Sequence, residues 1–403
     1  MAIYKIGPAT IHADAPDLNA HLLAAYENKV RPLCLCVPDG IPMYIAKINQ
    51  DRYLVKRMPN SGGQHSPACD SYEPPPELSG LGQVLGSAIV ENPEDTTTTL
   101  KFAFSLSKIG KRMTPIASAG EHDSVKADGN KLTLRGALHY LWEQAGFNRW
   151  FPAMHDKRNW FVIRKFLLQE AEGKFAKGTE LSQQLYIPES FRAENKEGIT
   201  QRRMAQMMPI AASNGGTRRL MLMIAEVKEF TPSRYGHKLI VKHVPDFHFM
   251  VAEDLYKRLT KRFELELGLV DAVPGSHLIT IATFGIGPTG VASLEEVALM
   301  CVNDKWIPFE TLYDQTLLGV LIDQNRHFVK GMRYNLPSSR PLACAVLTDA
   351  GTTPVATYII PPGAADGYIA AVDSLIAESE LRPWKWAPGS GAAMPELPRR
   401  SEK

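Results

Sequence analysis

Three of the five cysteines of this chain lie within 36 residues near the N-terminus, as Cys34-Leu35-Cys36 and Cys69, and His65 stands four residues before the last of them. If these side chains act together, residues 34–36 must meet residues 65–69, which fixes the path of everything between. The intervening chain suits that demand. Residues 43–48 and 52–58 are strand-like runs around Asn49-Gln50-Asp51, a hairpin signal, and a hairpin returns the chain to its starting point. Turn residues then crowd the second pair, from Pro59-Asn60-Ser61-Gly62-Gly63 to Ser66-Pro67-Ala68. Three thiolates and one imidazole are a closed tetrahedral donor set for structural Zn²⁺. With all four positions filled by protein, such a site holds structure together and leaves no position for a substrate. The competing reading treats Cys34 and Cys36 as small buried hydrophobes or redox thiols. Metal is favoured because alternate strand positions face the same way and His65 sits in a polar turn with no apolar face to pack on. Cys301 and Cys344 stand alone in apolar, strand-like surroundings.

The rest of the chain reads as a multi-domain α+β protein. Its 403 residues exceed the usual single domain, and 44% hydrophobic with 22% charged residues is ordinary for a packed globule, which excludes disorder over most of the length. Pro74-Pro75-Pro76 and Gly80-Leu81-Gly82 mark a boundary closing a zinc-binding β module over residues 1–80. Residues 81–190 form an α+β region with a helix-turn-helix-like pair. Its first helix, 132–145, has Thr133 as N-cap and Leu134, Leu138, Leu141 and Trp142 on one face; its second is Trp160–Ala171. Residues 191–303 form an α+β domain with strands at 220–229, 238–243, 277–284 and 295–302 and a helix at 251–265. Residues 304–387 follow in αβββαβ order, with a helix at 309–325, strands at 328–334, 342–349 and 354–360, a helix at 368–379 and a strand at 384–386. The Gly/Pro/charge-rich tail, 388–403, is expected to be disordered. No apolar run reaches the roughly 18 residues of a membrane span, and the N-terminus lacks a signal-peptide layout, so a cytoplasmic protein without membrane contact is expected.

The αβββαβ order resembles a restriction-endonuclease-like core, which would make a metal-dependent nuclease one reading. Glu310 could stand for its helix acid and Asp349 for its strand acid. The third strand has neither Glu nor Lys, however, so a carboxylate for the metal and a cation for the attacking water are missing. A degenerate, non-catalytic core is the expectation. The loop Gly285-Ile286-Gly287-Pro288-Thr289-Gly290 lacks the Lys-Ser/Thr ending of a phosphate loop.

Charge is nearly balanced, 45 basic against 43 acidic residues, which excludes a strongly basic DNA coat and leaves room for local patches. Two such patches stand out. Residues 131–177 hold nine Lys/Arg against four acids, with Lys157, Arg158, Arg164 and Lys165 interleaved with Trp150, Trp160 and Phe161. Residues 199–266 hold twelve against seven, and Lys257, Arg258, Lys261 and Arg262 pair like charges at i,i+4, which suits a phosphate-facing surface. The alternative is that the aromatics are core and the cations a solvated face.

Several segments carry a family resemblance. Arg31-Pro32-Leu33-Cys34-Leu35-Cys36, Lys56-Arg57-Met58-Pro59, His65-Ser66-Pro67-Ala68-Cys69, Tyr140-Leu141-Trp142 and Lys330-Gly331-Met332-Arg333-Tyr334-Asn335 resemble domain-of-unknown-function family 1173, from Arg31 to about Trp386. The resemblance implies a bacterial, mobile-element setting and a cysteine triad that falls on Cys34, Cys36 and Cys69. It brings no activity. The expected function is therefore a zinc-containing, non-catalytic accessory protein that contacts nucleic acid through its backbone. The alternatives are an adaptor among conjugation, defence or other mobile-element proteins, and a metal-dependent nuclease.

Overall fold

The computed structural model describes residues 2–49, 51–95, 97–109, 129–211, 217–390 and 393–401. The predicted hairpin forms as Ile41–Asn49 against Arg52–Arg57, with Ile41, Met43 and Ile45 buried at alternate positions. Ile3–Ile6, Ala9–His12 and Leu33–Cys34 complete an antiparallel sheet, and α1 (Leu18–Glu27) packs on it. Tyr4, Ile6, Leu22, Cys34 and Met43 form a core belonging to this module alone.

A second, much larger core draws on residues from Leu81 to Leu397, and a third, small one joins Leu78 to Ala343, Val346, Ala356, Tyr358 and Val372. The larger core crosses both predicted boundaries, 190/191 and 303/304, so residues 81–190, 191–303 and 304–387 are not separately packed domains. The helices α2 (Leu134–Gln144), α3 (Trp160–Ala171) and α4 (Lys196–Ala211) belong to it. Thr133 caps α2, its Oγ1 accepting from the Gly136 N–H at 3.0 Å, as its sequence position predicts. The helix-turn-helix reading is corrected. Residues 145–159 between α2 and α3 are far longer than the three- or four-residue turn of that motif, and they carry a strand, Arg149–Trp150, that joins the C-terminal sheet.

Five strands then close on themselves. They are β1 (Met221–Ser233), β2 (Gly236–Val241), β3 (Phe249–Val251), β4 (His277–Ile286) and β5 (Ala292–Val302), with α5 (Glu253–Arg262) and α6 (Glu264–Ala272) between β3 and β4. The first half of β1 pairs with β4 and the second half with β2; a bulge between Val227 and Glu229 makes the bend. β2 pairs with β3, β3 runs parallel to β5, and β5 pairs with β4. The ring is therefore 1-2-3-5-4 and back to 1. Leu239, Phe249 and Phe284 are fully buried in it, with the two phenyl rings edge to face at 5.1 Å. The single helix expected over 251–265 is two helices, because the chain breaks direction at the buried Phe263.

The C-terminal elements keep the predicted αβββαβ order: α7 (Leu312–Asp323), strands Phe328–Lys330, Ala345–Leu347 and Val355–Ile359, α8 (Asp366–Ala377) and strand Arg382–Trp386. The expected disordered tail is corrected over residues 393–401. Leu397 is buried, Trp384 Nε1 donates to the Glu396 carbonyl, Arg326 to that of Pro398, and Ser401 N–H to that of Asp349. One apolar side chain with main-chain partners is enough to order a segment whose composition is polar.

The motif 330–335 knits these parts together. Lys330 pairs with Asp314, Arg333 with Glu310, and Asn335 Oδ1 accepts from both Thr133 N and Oγ1 at the start of α2. A Cβ on Gly331 would lie 2.0 Å from the Ala343 carbonyl. The small module is attached by a polar seam. Lys56 and Lys174 share Glu170, Arg52 donates to Gln169 Oε1 at 2.7 Å, and Arg149 donates to the Tyr72 carbonyl. Behind the seam lies Glu143, accepting from the Tyr334 hydroxyl at 2.6 Å and from Asn148 at 3.2 Å. Burial, reinforced by Glu73, pushes its carboxyl up to about 7.

Two outcomes follow. Gly331→Ala should lower unfolding free energy by about 1–3 kcal/mol through overpacking, read from urea melts. The unfolded chain titrates Glu143 near 4.5, so between pH 4.5 and 7 the folded protein binds more protons there than the unfolded chain does. Stability from this group therefore falls as pH rises through that window and levels off above it. Glu143→Gln should remove that slope; melts at pH 5, 6, 7 and 8 showing the same pH dependence in both proteins would refute it.

Candidate metal centre and the cationic segments

Hairpin closure brings the two halves of the Cys/His set together. Cys34 ends its strand and Cys36 lies in the turn just beyond it. His65 follows a 3-10 turn, Gly62–Gln64, and Cys69 closes a second turn through its N–H to the Ser66 carbonyl. Their ligand atoms all lie within 4.8 Å of one another. Sγ of Cys34 is 3.7 Å from that of Cys69, and His65 Nδ1 is 3.3 Å from Cys36 Sγ and 3.7 Å from Cys69 Sγ. A tetrahedron with metal–sulfur bonds of about 2.3 Å has edges of about 3.8 Å, so the four donors already have the spacing of a coordination shell. Cys34 and His65 are buried, and Cys36 and Cys69 half-buried. These four residues can hold a metal ion.

The electrostatics point the same way. A hydrogen bond with Cys34, aided by the Ser71 N–H, pulls the Cys69 thiol down to about 5 against its burial. The same bond and burial push Cys34 well above the thiol range, and burial raises Cys36. Tyr4, paired with Cys34 across the sheet, is pushed up by burial and by these sulfurs. Three thiolates crowded together oppose one another's ionisation, and a divalent cation among them would relieve the conflict. The imidazole turns Nδ1 toward the sulfurs, while its buried Nε2 has no hydrogen-bond partner among the described residues. The ring is thus oriented from the sulfur side.

The cations predicted to meet phosphate divide into two kinds. Arg158 turns inward, donating to the carbonyls of Gly146, Phe147, Arg149 and Lys305 beneath the rings of Phe147 and Trp150. Arg164 donates to the Ile187 carbonyl. Both arginines tie loops to α3, while Lys157 and Lys165 remain exposed. On α5, Lys257, Arg258, Lys261 and Arg262 are all exposed. Lys257 reaches Glu253 at 3.5 Å, and Arg262 lies over the Phe263 ring. The acids considered for nuclease chemistry are engaged by arginines: Glu310 by Arg333 at 2.7 Å, and Asp349 by Arg326 through both oxygens and by Arg400. Of the isolated cysteines, Cys344 donates to Asp314 and Cys301 to the Glu266 carbonyl. No helix among the described residues is long and apolar enough to cross a membrane.

Purified protein should carry one metal ion per chain, and Cys36→Ser should release it. Hydrogen exchange over residues 3–73 should then quicken, because ligand binding stabilises the fold around it. Full metal content in the variant would refute the site.

No curated protein and no solved structure matches the chain. A family model matches over residues 4–389, and its description is protein of unknown function (DUF1173). With nearly the whole length covered, the chain belongs to that family.

Proposed function

We propose that this chain is a zinc-containing, non-catalytic accessory protein that associates with nucleic acid in the bacterial cytoplasm and serves a mobile element. Three thiolates and an imidazole at tetrahedral spacing suit zinc better than the oxygen-seeking cations. In this reading the metal holds the N-terminal module in shape, and binding is the work of the larger core. The observation that carries the nucleic-acid assignment is the exposed row on α5, where Arg258, Lys261 and Arg262 have no carboxylate partner among the described residues. Contacts from such a row go to phosphates and are blind to sequence. The αβββαβ region serves as scaffold rather than as a nuclease, since arginines occupy the acids that would bind metal.

An adaptor role is the second reading. Met204 and Met208, one turn apart on α4, are 65% and 64% exposed, and flexible thioethers suit a protein surface.

Gel retardation across a salt series separates the two. Binding of duplex DNA should weaken steeply with salt, by a log–log slope of about 0.9 per neutralised phosphate. Replacing Lys257, Arg258, Lys261 and Arg262 together by Ala should weaken binding on every sequence and flatten that slope. If the unmodified protein retards no nucleic acid at about 50 mM salt, the adaptor reading replaces this one.

A further inference from the structure

The barrel has one face that the proposed function leaves unexplained. Along β2 and β3, Leu239, Val241, Phe249 and Val251 point inward, while Lys238, Ile240 and Met250 alternate with them and point outward. Register aligns Lys238 with Met250 on one side and with Thr231 on the other. At one end, the β1–β2 turn carries Arg234 and Tyr235. Tyr235 is 75% exposed, more than any other large apolar or aromatic side chain among the described residues, and the Arg234 guanidinium lies over its ring at 5.2 Å. Gly236 sets this turn with φ +110°, where a Cβ would meet the Val251 carbonyl at 2.4 Å. Along the β3 side, pairing of Met250 with Ser293 brings up the β4–β5 loop, whose residues 288–291 are exposed.

A solvent-facing ring with a cation on it, at the lip of a strand face bearing a lysine and a thioether, is suited to flat, aromatic, anionic polymers. Bases stack on the ring, and Arg234 and Lys238 meet phosphate. Duplex DNA hides its base faces in the stack, so this surface fits an unpaired strand. The ring order 1-2-3-5-4, with helices between β3 and β4, is the connectivity of OB-type barrels, which present the equivalent strands and loops to oligonucleotides or oligosaccharides. Topology alone assigns no ligand. Arg234 over the Tyr235 ring, with Lys238 farther along the same strand face, favours the polyanion over a neutral sugar. Ring and cations are general contacts, and selecting RNA needs a dedicated contact to the ribose 2′-hydroxyl.

We infer that the β2–β3 face, with Tyr235 and Arg234 at its lip, binds single-stranded DNA. This rests on the nucleic-acid reading above but uses a different surface from the α5 row.

The test is fluorescence anisotropy of the full chain with labelled 30-mers of dT and rU and a 30-base-pair duplex at about 50 mM salt. Tyr235→Ala should weaken dT binding about 5- to 150-fold, the range of one lost base stack, while leaving duplex binding within about twofold. Tyr235→Phe should retain dT binding, because it keeps the ring. Arg234→Ala with Lys238→Ala should weaken dT binding and flatten its salt slope. All are surface changes, and unaltered thermal melts will show that the fold is kept. If the wild type binds DNA and Tyr235→Ala binds dT as tightly, this inference falls and the α5 reading stands. Tighter binding of rU than dT, or binding of a neutral oligosaccharide in place of DNA, also overturns it. If the wild type binds neither single strands nor duplex, the nucleic-acid reading fails, and this inference with it.

Discussion

Much of the larger core depends on one strand satisfying two partners. β1 is 13 residues long and pairs along its first half with β4 and along its second with β2, so it must bend for these two partners to be joined into a ring. The bulge between Val227 and Glu229 supplies the bend, and with it the sheet closes rather than leaving two open edges. Closure makes an interior for Leu239, Phe249 and Phe284 and an outer wall on which α2 and α4 rest. Through α2 the same wall supports the 330–335 motif, since Asn335 holds the helix's cap residue, Thr133, and Tyr334 reaches Glu143 on it.

The N-terminal module is held by different physics. Its main apolar core is separate, and its junction with the rest combines ion pairs, main-chain hydrogen bonds and one buried side chain, Leu78, set among Ala343, Val346 and Tyr358. A small sheet with so little buried apolar surface has little stability of its own. A metal bridging residues 34–36 and 65–69 would tie the hairpin across its open end, where hydrophobic contact is thin.

Local signals in the sequence proved readable, and long-range ones did not. Trp160–Ala171 is legible to the residue because its apolar spacing and its cap, Asn159, are both local. The Cys/His set is legible because few residue types hold metal and the hairpin between them is short. The split at Phe263 has no Gly or Pro to announce it. Arg158 looked like a surface cation because sequence does not show where carbonyls lack partners; four of them converge on its guanidinium. Barrel closure joins Met221 to Phe284 and Met250 to Ser293, pairings that no periodicity encodes. The setting of Arg234 and Tyr235 is hidden for the same reason: it comes from strands distant in sequence.

The returning C-terminal tail has a further consequence. Strand Arg382–Trp386 is the last in its sheet, and the tail folds back against it, with Trp384 held to Glu396 and Leu397 sealed into the core. At the opposite margin the sheet ends in the two-residue strand Arg149–Trp150, too short to template a neighbour. The tail thus acts as a guard on the longer margin. A chain shortened by its final dozen residues would keep every strand of that sheet but leave the Trp384 indole without its carbonyl partner and uncover the apolar surface that Leu397 seals. Its weakness would appear first as self-association in concentrated solution, before any loss of secondary structure.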